Sequence, residues 1–71
     1  MNKNDELLVK MAKFIRDNYK FGDQIIGERL LAKTFNCSRG AIRERIIVLV
    51  TLEYLSVRPQ GGTYYNREIK L

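Results

Sequence analysis

The sequence predicts a mainly α domain in which three helices are followed by a small two-stranded β-hairpin. Apolar residues recur at three- and four-residue spacing in three separate stretches: Asp5 to Tyr19, Glu28 to Phe35, and Arg39 onward. Short breaks made of residues that stop or start helices separate these stretches, namely Phe21-Gly22-Asp23-Gln24 and Asn36-Cys37-Ser38. Near the end, the turn sequence Pro59-Gln60-Gly61-Gly62 divides two β-prone runs.

The first helix is expected over about Asp5 to Tyr19, capped by Asn4 or Asp5, with Asp5 and Glu6 placed favourably against its N-terminal dipole. Leu8, Met11, Ala12, Ile15 and Tyr19 form its apolar stripe, and Leu7 and Phe14 widen it. Lys10, Lys13, Arg16 and Asp17 face away. Gly22 permits dihedrals that a Cβ forbids, so the chain turns there. Ile25 and Ile26 form too short a run to place alone and fit either packing under the turn or a brief strand. Gly27 is an acceptable but weak cap for a second helix over Glu28 to Phe35, with Leu30, Leu31, Thr34 and Phe35 expected inward.

After the Asn36-Cys37 turn, Ser38 is a natural N-cap, because its hydroxyl can accept a backbone N–H two or three residues on. Helical residues turn by about 100° each, which groups Ile42, Ile46 and Leu49 on one side and Arg39, Gly40 and Arg43 on a neighbouring, outward side. This third helix is expected to reach Leu52 or Glu53. Its first turn offers guanidinium groups, free N–H donors and the positive end of a helix dipole, all suited to a polyanion. Tyr54 to Arg58 and Thr63 to Asn66 then read as two strands. Pro59 and the glycines close them into a hairpin beside the helices. The tail Arg67 to Leu71 has no clear periodicity.

Composition narrows the function. The chain has 71 residues and is expected to form one domain, residues 1–71, with no effector-binding domain. Its 13 Lys and Arg against 8 Asp and Glu give a net charge of +5, with an isoelectric point near 9.7. Such a bias favours a polyanionic partner without choosing among nucleic acid, acidic protein and membrane surface. One cysteine excludes an internal disulfide, and the absence of histidine removes the usual zinc-ligand sets, so no metal or cofactor is expected. No nucleophile stands with a base and no carboxylate pair is convincing, which argues against an enzyme. The first residues lack the order of a signal peptide, and no apolar run approaches the roughly 18 residues of a spanning helix. A cytoplasmic protein with no membrane partner is expected.

Several segments together carry a family likeness. Phe21-Gly22-Asp23, Gly27-Glu28-Arg29-Leu30-Leu31-Ala32, Cys37-Ser38-Arg39, Ile42-Arg43-Glu44 and Gly62-Thr63-Tyr64 resemble, in order and spacing, the N-terminal winged helix-turn-helix domain of GntR-type bacterial transcriptional regulators. The resemblance runs from about residue 12 to 65. It implies that Arg29 reaches DNA from the start of the second helix, that Ser38 meets phosphate and Arg39 a base edge, and that Arg43 joins them. It also implies that Gly62 and Thr63 approach the minor groove or the backbone. The sequence departs from the pattern at four places. Gly27 stands where the family has serine, Gly40 where it has threonine, Arg45 where it has a small buried alanine, and Glu53 where it has the glycine that ends the helix. In the family this domain precedes a larger effector-binding and dimerising domain.

The expected function is therefore sequence-specific binding of double-stranded DNA by a bacterial, nucleoid-associated transcriptional regulator, most simply a repressor. Arg29, Ser38, Arg39, Gly40, Arg43 and the tip Gln60-Gly61-Gly62-Thr63 are the candidate contacts, with Lys3 or Lys10 near phosphate. Arg29 has a competing use as an ion-pair partner of Glu28, Glu44 or a helix end. Cys37 is expected as a small buried thiol, and Tyr54, Tyr64 and Tyr65 as core or sheet-face residues. Ile47, Val48, Val50 and Leu52 make the rear of the third helix apolar nearly all round, so Ile47 and Val50 are candidates for a homodimer or partner contact. A thickened core is an equal alternative. Two other functions stay open: an architectural or recombination accessory factor of a phage or mobile element, and a protein-interaction winged helix.

Overall fold

A computed structural model describes residues 5–70. Along them run α1 (Glu6–Asn18), α2 (Glu28–Phe35), α3 (Arg39–Thr51), β1 (Leu55–Arg58) and β2 (Gly62–Tyr65), the expected three helices and hairpin. Asn4 as a cap and Lys3 as a phosphate contact lie outside the described residues. Asp5 is the α1 cap, its Oδ1 accepting the Leu8 N–H at 3.0 Å. At the other end Tyr19 turns extended and its hydroxyl accepts the Ile26 N–H at 3.2 Å, tying the end of α1 to the approach to α2.

Segment 22–25 resolves the ambiguity at Ile25 and Ile26. β1 and β2 pair antiparallel with Leu55 opposite Tyr65 and Arg58 opposite Gly62. On the free edge of β2, Gly22 N donates to Tyr65 O at 2.8 Å, Tyr65 N to Asp23 O at 2.9 Å, and Ile25 N to Thr63 O at 2.9 Å. Ile25 thus serves as part of a rudimentary third strand and also buries its side chain, while Ile26 is half-buried. The wing is stapled to the α1–α2 connection, which covers an edge that would otherwise expose unpaired backbone.

Leu8, Met11, Ala12 and Ile15 of α1, Leu31 and Ala32 of α2, Ile42, Ile46 and Leu49 of α3, and Leu55 and Tyr65 of the hairpin form one core. α3 lies at its centre, touching α1, α2 and β1. Two expectations for α2 fail. Leu30 and Thr34 are exposed, and Thr34 Oγ1 donates back to Leu30 O at 2.8 Å. Ala32 takes the inward place instead, because an eight-residue helix makes little more than two turns and its stripe is set by where α3 lies. In the aperiodic tail, Ile69 is buried and belongs to the core. Val57 alternates correctly but is exposed.

Two left-handed residues end two helices. Asn36 (φ 52) closes α2, with Cys37 N donating to Ala32 O at 3.0 Å and Asn36 N to Lys33 O at 3.3 Å. Glu53 (φ 66) closes α3, with Tyr54 N on Leu49 O at 3.0 Å and Glu53 N on Val50 O at 2.9 Å. Both are Schellman endings, which satisfy carbonyls the helix leaves unpaired. Cys37 is half-buried against the core, close to the expected small buried thiol.

Candidate nucleic-acid interface

The start of α3 is built by Ser38, whose extended backbone (φ −74, ψ 155) lets its Oγ accept the Ala41 N–H at 3.1 Å. Ser38, Arg39, Gly40 and Arg43 are exposed while Ile42, Ile46 and Leu49 are buried, so the helix is cationic in front and apolar behind. A Cβ placed on Gly40 would meet only Ser38 Oγ, at 3.9 Å, so nothing covers this turn.

α2 brings an acid to the same place. The Glu28 carboxylate accepts Arg43 Nε–H at 3.0 Å and Nη2–H at 2.9 Å. Arg39 Nη2 lies 3.8 Å from the same carboxylate. The hydrogen bond from Arg43, with the two positive charges, holds the Glu28 carboxyl below its ordinary range against the opposing effect of partial burial. The Arg43 guanidinium is correspondingly raised, first by that hydrogen bond. Glu28 therefore pairs across the helices and not with Arg29. Arg29 is exposed and has no ion-pair partner among the described residues; Glu44 pairs with Arg45, at 3.4 Å. The starts of α2 and α3 thus gather Arg39 and Arg43 around one carboxylate, with Arg29 the residue after it in α2.

In the hairpin, Gly61 N donates to Arg58 O at 3.3 Å and closes the turn. Gly62 carries positive φ (86), which favours glycine; a Cβ there would lie 2.7 Å from Gln24 Nε2, the movable end of an exposed side chain, so the backbone sets the preference more than the space. Gln60 and Gly62 are exposed; Gly61 and Thr63 are half-buried. The Thr63 carbonyl is already committed to Ile25. A basic residue missing from the sequence-based candidates stands beside them: the Arg58 guanidinium lies 4.0 Å from the centre of the Tyr64 ring. Arg58 faces Gly62 in the ladder, so Tyr64 is its diagonal neighbour on the same face. Tyr65 is buried and Tyr54 and Tyr64 are half-buried, as core and sheet-face residues.

Comparison with known proteins rests on structure. Neither a scan against protein-family models nor a search of curated proteins finds a match. Among solved structures, a GntR family transcriptional regulator from Listeria monocytogenes superposes over 93% of this chain with a TM-score of 0.73 and 17% identity. YydK, a possible transcriptional regulator from Bacillus subtilis subsp. subtilis str. 168, superposes over 100% with a TM-score of 0.80 and 15% identity. The fold is a winged helix-turn-helix. This chain spans 62% and 32% of those two chains.

In this winged helix the departures at Arg45 and Glu53 have visible accommodations. Arg45 is not accommodated as a small core residue. It runs along α3 to give Nη1–H to Ala41 O at 3.1 Å and reaches the Asp5 carboxylate at 3.4 Å, bridging α3 to the cap of α1. Glu53 takes the left-handed turn without being glycine, helped by Asn66 Nδ2, which donates to its carbonyl at 2.8 Å. At the rear of α3, Val50 is half-buried and packs against the core. Ile47, 58% exposed, and Val48, 39% exposed, form the outward apolar pair.

Proposed function

We propose that this winged helix binds double-stranded DNA as a transcriptional regulator, with α3 entering the major groove and Arg29 and the wing securing its orientation. The observation that carries the reading is the open first turn of α3. There Arg39 and Arg43 are exposed beside a capped helix start, and their helix is anchored from behind by Ile42, Ile46 and Leu49. Arginine at such a position can pair bidentately with guanine, while Ser38, Gly40 and Arg29 serve phosphate or close backbone approach. Gln60, Gly61, Gly62 and Thr63, with Arg58 added, form the wing contact to backbone or minor groove. Repression by occupying a promoter in a bacterial cytoplasm follows most simply. This reading calls on no cofactor, catalytic step or small-molecule effector within the winged helix itself.

Selection from random duplexes, followed by binding of the selected duplex by Arg39→Ala and Arg43→Ala, tests the assignment. Each substitution is expected to weaken binding roughly ten- to a hundredfold and to relax preference at particular base pairs. Equal weakening on every duplex would demote both residues to phosphate anchors. A second reading, a protein-interaction winged helix, is favoured only by the exposed Ile47 and Val48, and failure of the wild type to shift any duplex at low salt would turn the case to it. Cooperative protection over several DNA turns, in place of one short palindrome, would mark an architectural factor.

A further inference from the structure

The Glu28 carboxylate grips only one edge of the Arg43 guanidinium. Its two oxygens take the Nε–H and one Nη2–H. A guanidinium carries five N–H bonds in one plane, so the end-on edge made by Nη1 and the other Nη2 hydrogen stays open. That edge has the parallel pair of donors that guanine O6 and N7 accept. The Arg43 side chain is 60% exposed and Glu28 only 27%, so the pair is open on the arginine side and backed by protein on the other.

A flexible arginine loses side-chain freedom when it binds, and one already clamped along one edge has lost much of it in advance. The clamp also places a full negative charge next to the contact. Phosphate, itself anionic, is repelled there more strongly than the neutral acceptor edge of a base. Arg39, with its Nη2 3.8 Å from the same carboxylate, comes under the same influence.

We propose that Glu28 is a specificity-determining positioning residue: by holding Arg43 along one edge it presents the other to a base and keeps phosphate from taking its place. This rests on the DNA-binding reading above.

The test compares a duplex selected by the wild type with a scrambled duplex of equal length, measuring both affinities for wild type, Glu28→Gln, Arg43→Ala and the double variant. Glu28→Gln keeps the side-chain shape at a surface position and should fold normally, which thermal melting checks. It is expected to bind the scrambled duplex more tightly and to lower the ratio of selected to scrambled affinity by about fivefold or more. In the Arg43→Ala background the same change should move that ratio by less than about twofold. Arg43→Lys keeps the charge but cannot be held along a planar edge, so it should lower the ratio as Glu28→Gln does. A preserved ratio in Glu28→Gln would overturn the proposal while leaving DNA binding intact, whatever Arg43→Lys does. A wild type that prefers no duplex would instead overturn the DNA reading and the proposal with it.

Discussion

Arg43 and Glu28 are 15 positions apart, yet theirs is the best-formed ion pair on the candidate interface. Its consequence for stability is small and has a definite sign. Glu28 ordinarily titrates near 4.5, and in the folded protein its value is lowered. A lowered carboxyl contributes stability that is fully present above the ordinary value and is lost as pH falls through the folded value, because the unfolded chain takes up the proton first. Urea unfolding should therefore find the wild type slightly more stable than Glu28→Gln at pH 7, with the difference shrinking below about pH 4.5 as the carboxylate is protonated. Arg43 stays charged throughout, so the whole effect follows Glu28. The exposure of the arginine keeps the gain modest through solvent screening. A difference that persists unchanged into acid would mean that shape, not charge, explains the pair.

At the scale of elements, the boundaries of α2 and α3 were legible because capping residues set them. Ser38 accepts the Ala41 N–H and starts α3 at Arg39, and Gly27 precedes Glu28. The amphipathic back of α3 was legible too, since thirteen residues give its apolar positions time to recur. What could not be read depended on partners far along the chain. Segment 22–25 makes its bridge and backbone bonds only because β2 offers an edge, Ile69 is a single apolar residue in an aperiodic tail, and Leu30 and Thr34 sit on a helix too short to define one face. The Glu28–Arg43 clamp and the stacking of Arg58 on Tyr64 have no local spacing or needed the hairpin register. The stop of α3 shows both cases at once: glycine is the natural occupant of its left-handed position, yet Glu53 sits there at φ 66. Replacing it removes the Cβ clash, keeps the backbone bond from Asn66 and gives up only an exposed contact with Arg67 at 3.3 Å. Glu53→Gly should stabilise the domain by about 1 kcal/mol, reduced somewhat by glycine's unfolded-state freedom. Thermal melting should register a rise of up to about 4–8 °C. A lower melting point would mean that the Glu53–Arg67 contact outweighs the backbone strain.

The whole molecule is small against its proposed target. Its Cα trace spans 27 × 25 × 21 Å, less than the roughly 34 Å of one DNA turn, so on the proposed mode one copy would fill a single stretch of major groove and read a short sequence. Two copies on half-sites one turn apart would come nearly into contact once side chains are added to that span. Ile47 and Val48 are the exposed apolar pair on α3 placed for self-association, whereas Val50 packs partly against the core and its replacement by a charge would destabilise the domain. Ile47→Glu alone is therefore the informative variant. In sedimentation, the wild type should rise above the 8.3 kDa of one chain as concentration increases, while Ile47→Glu should stay at that mass with an unchanged melting temperature. On a duplex carrying two half-sites, the wild type should fill both together and Ile47→Glu should fill them independently, at a single-site affinity like that of the wild type. A wild type that remains at one chain's mass and binds the two half-sites without cooperativity would show that this face takes no second copy. The two arginines at the front of α3 would then have to supply all the selectivity from one short contact.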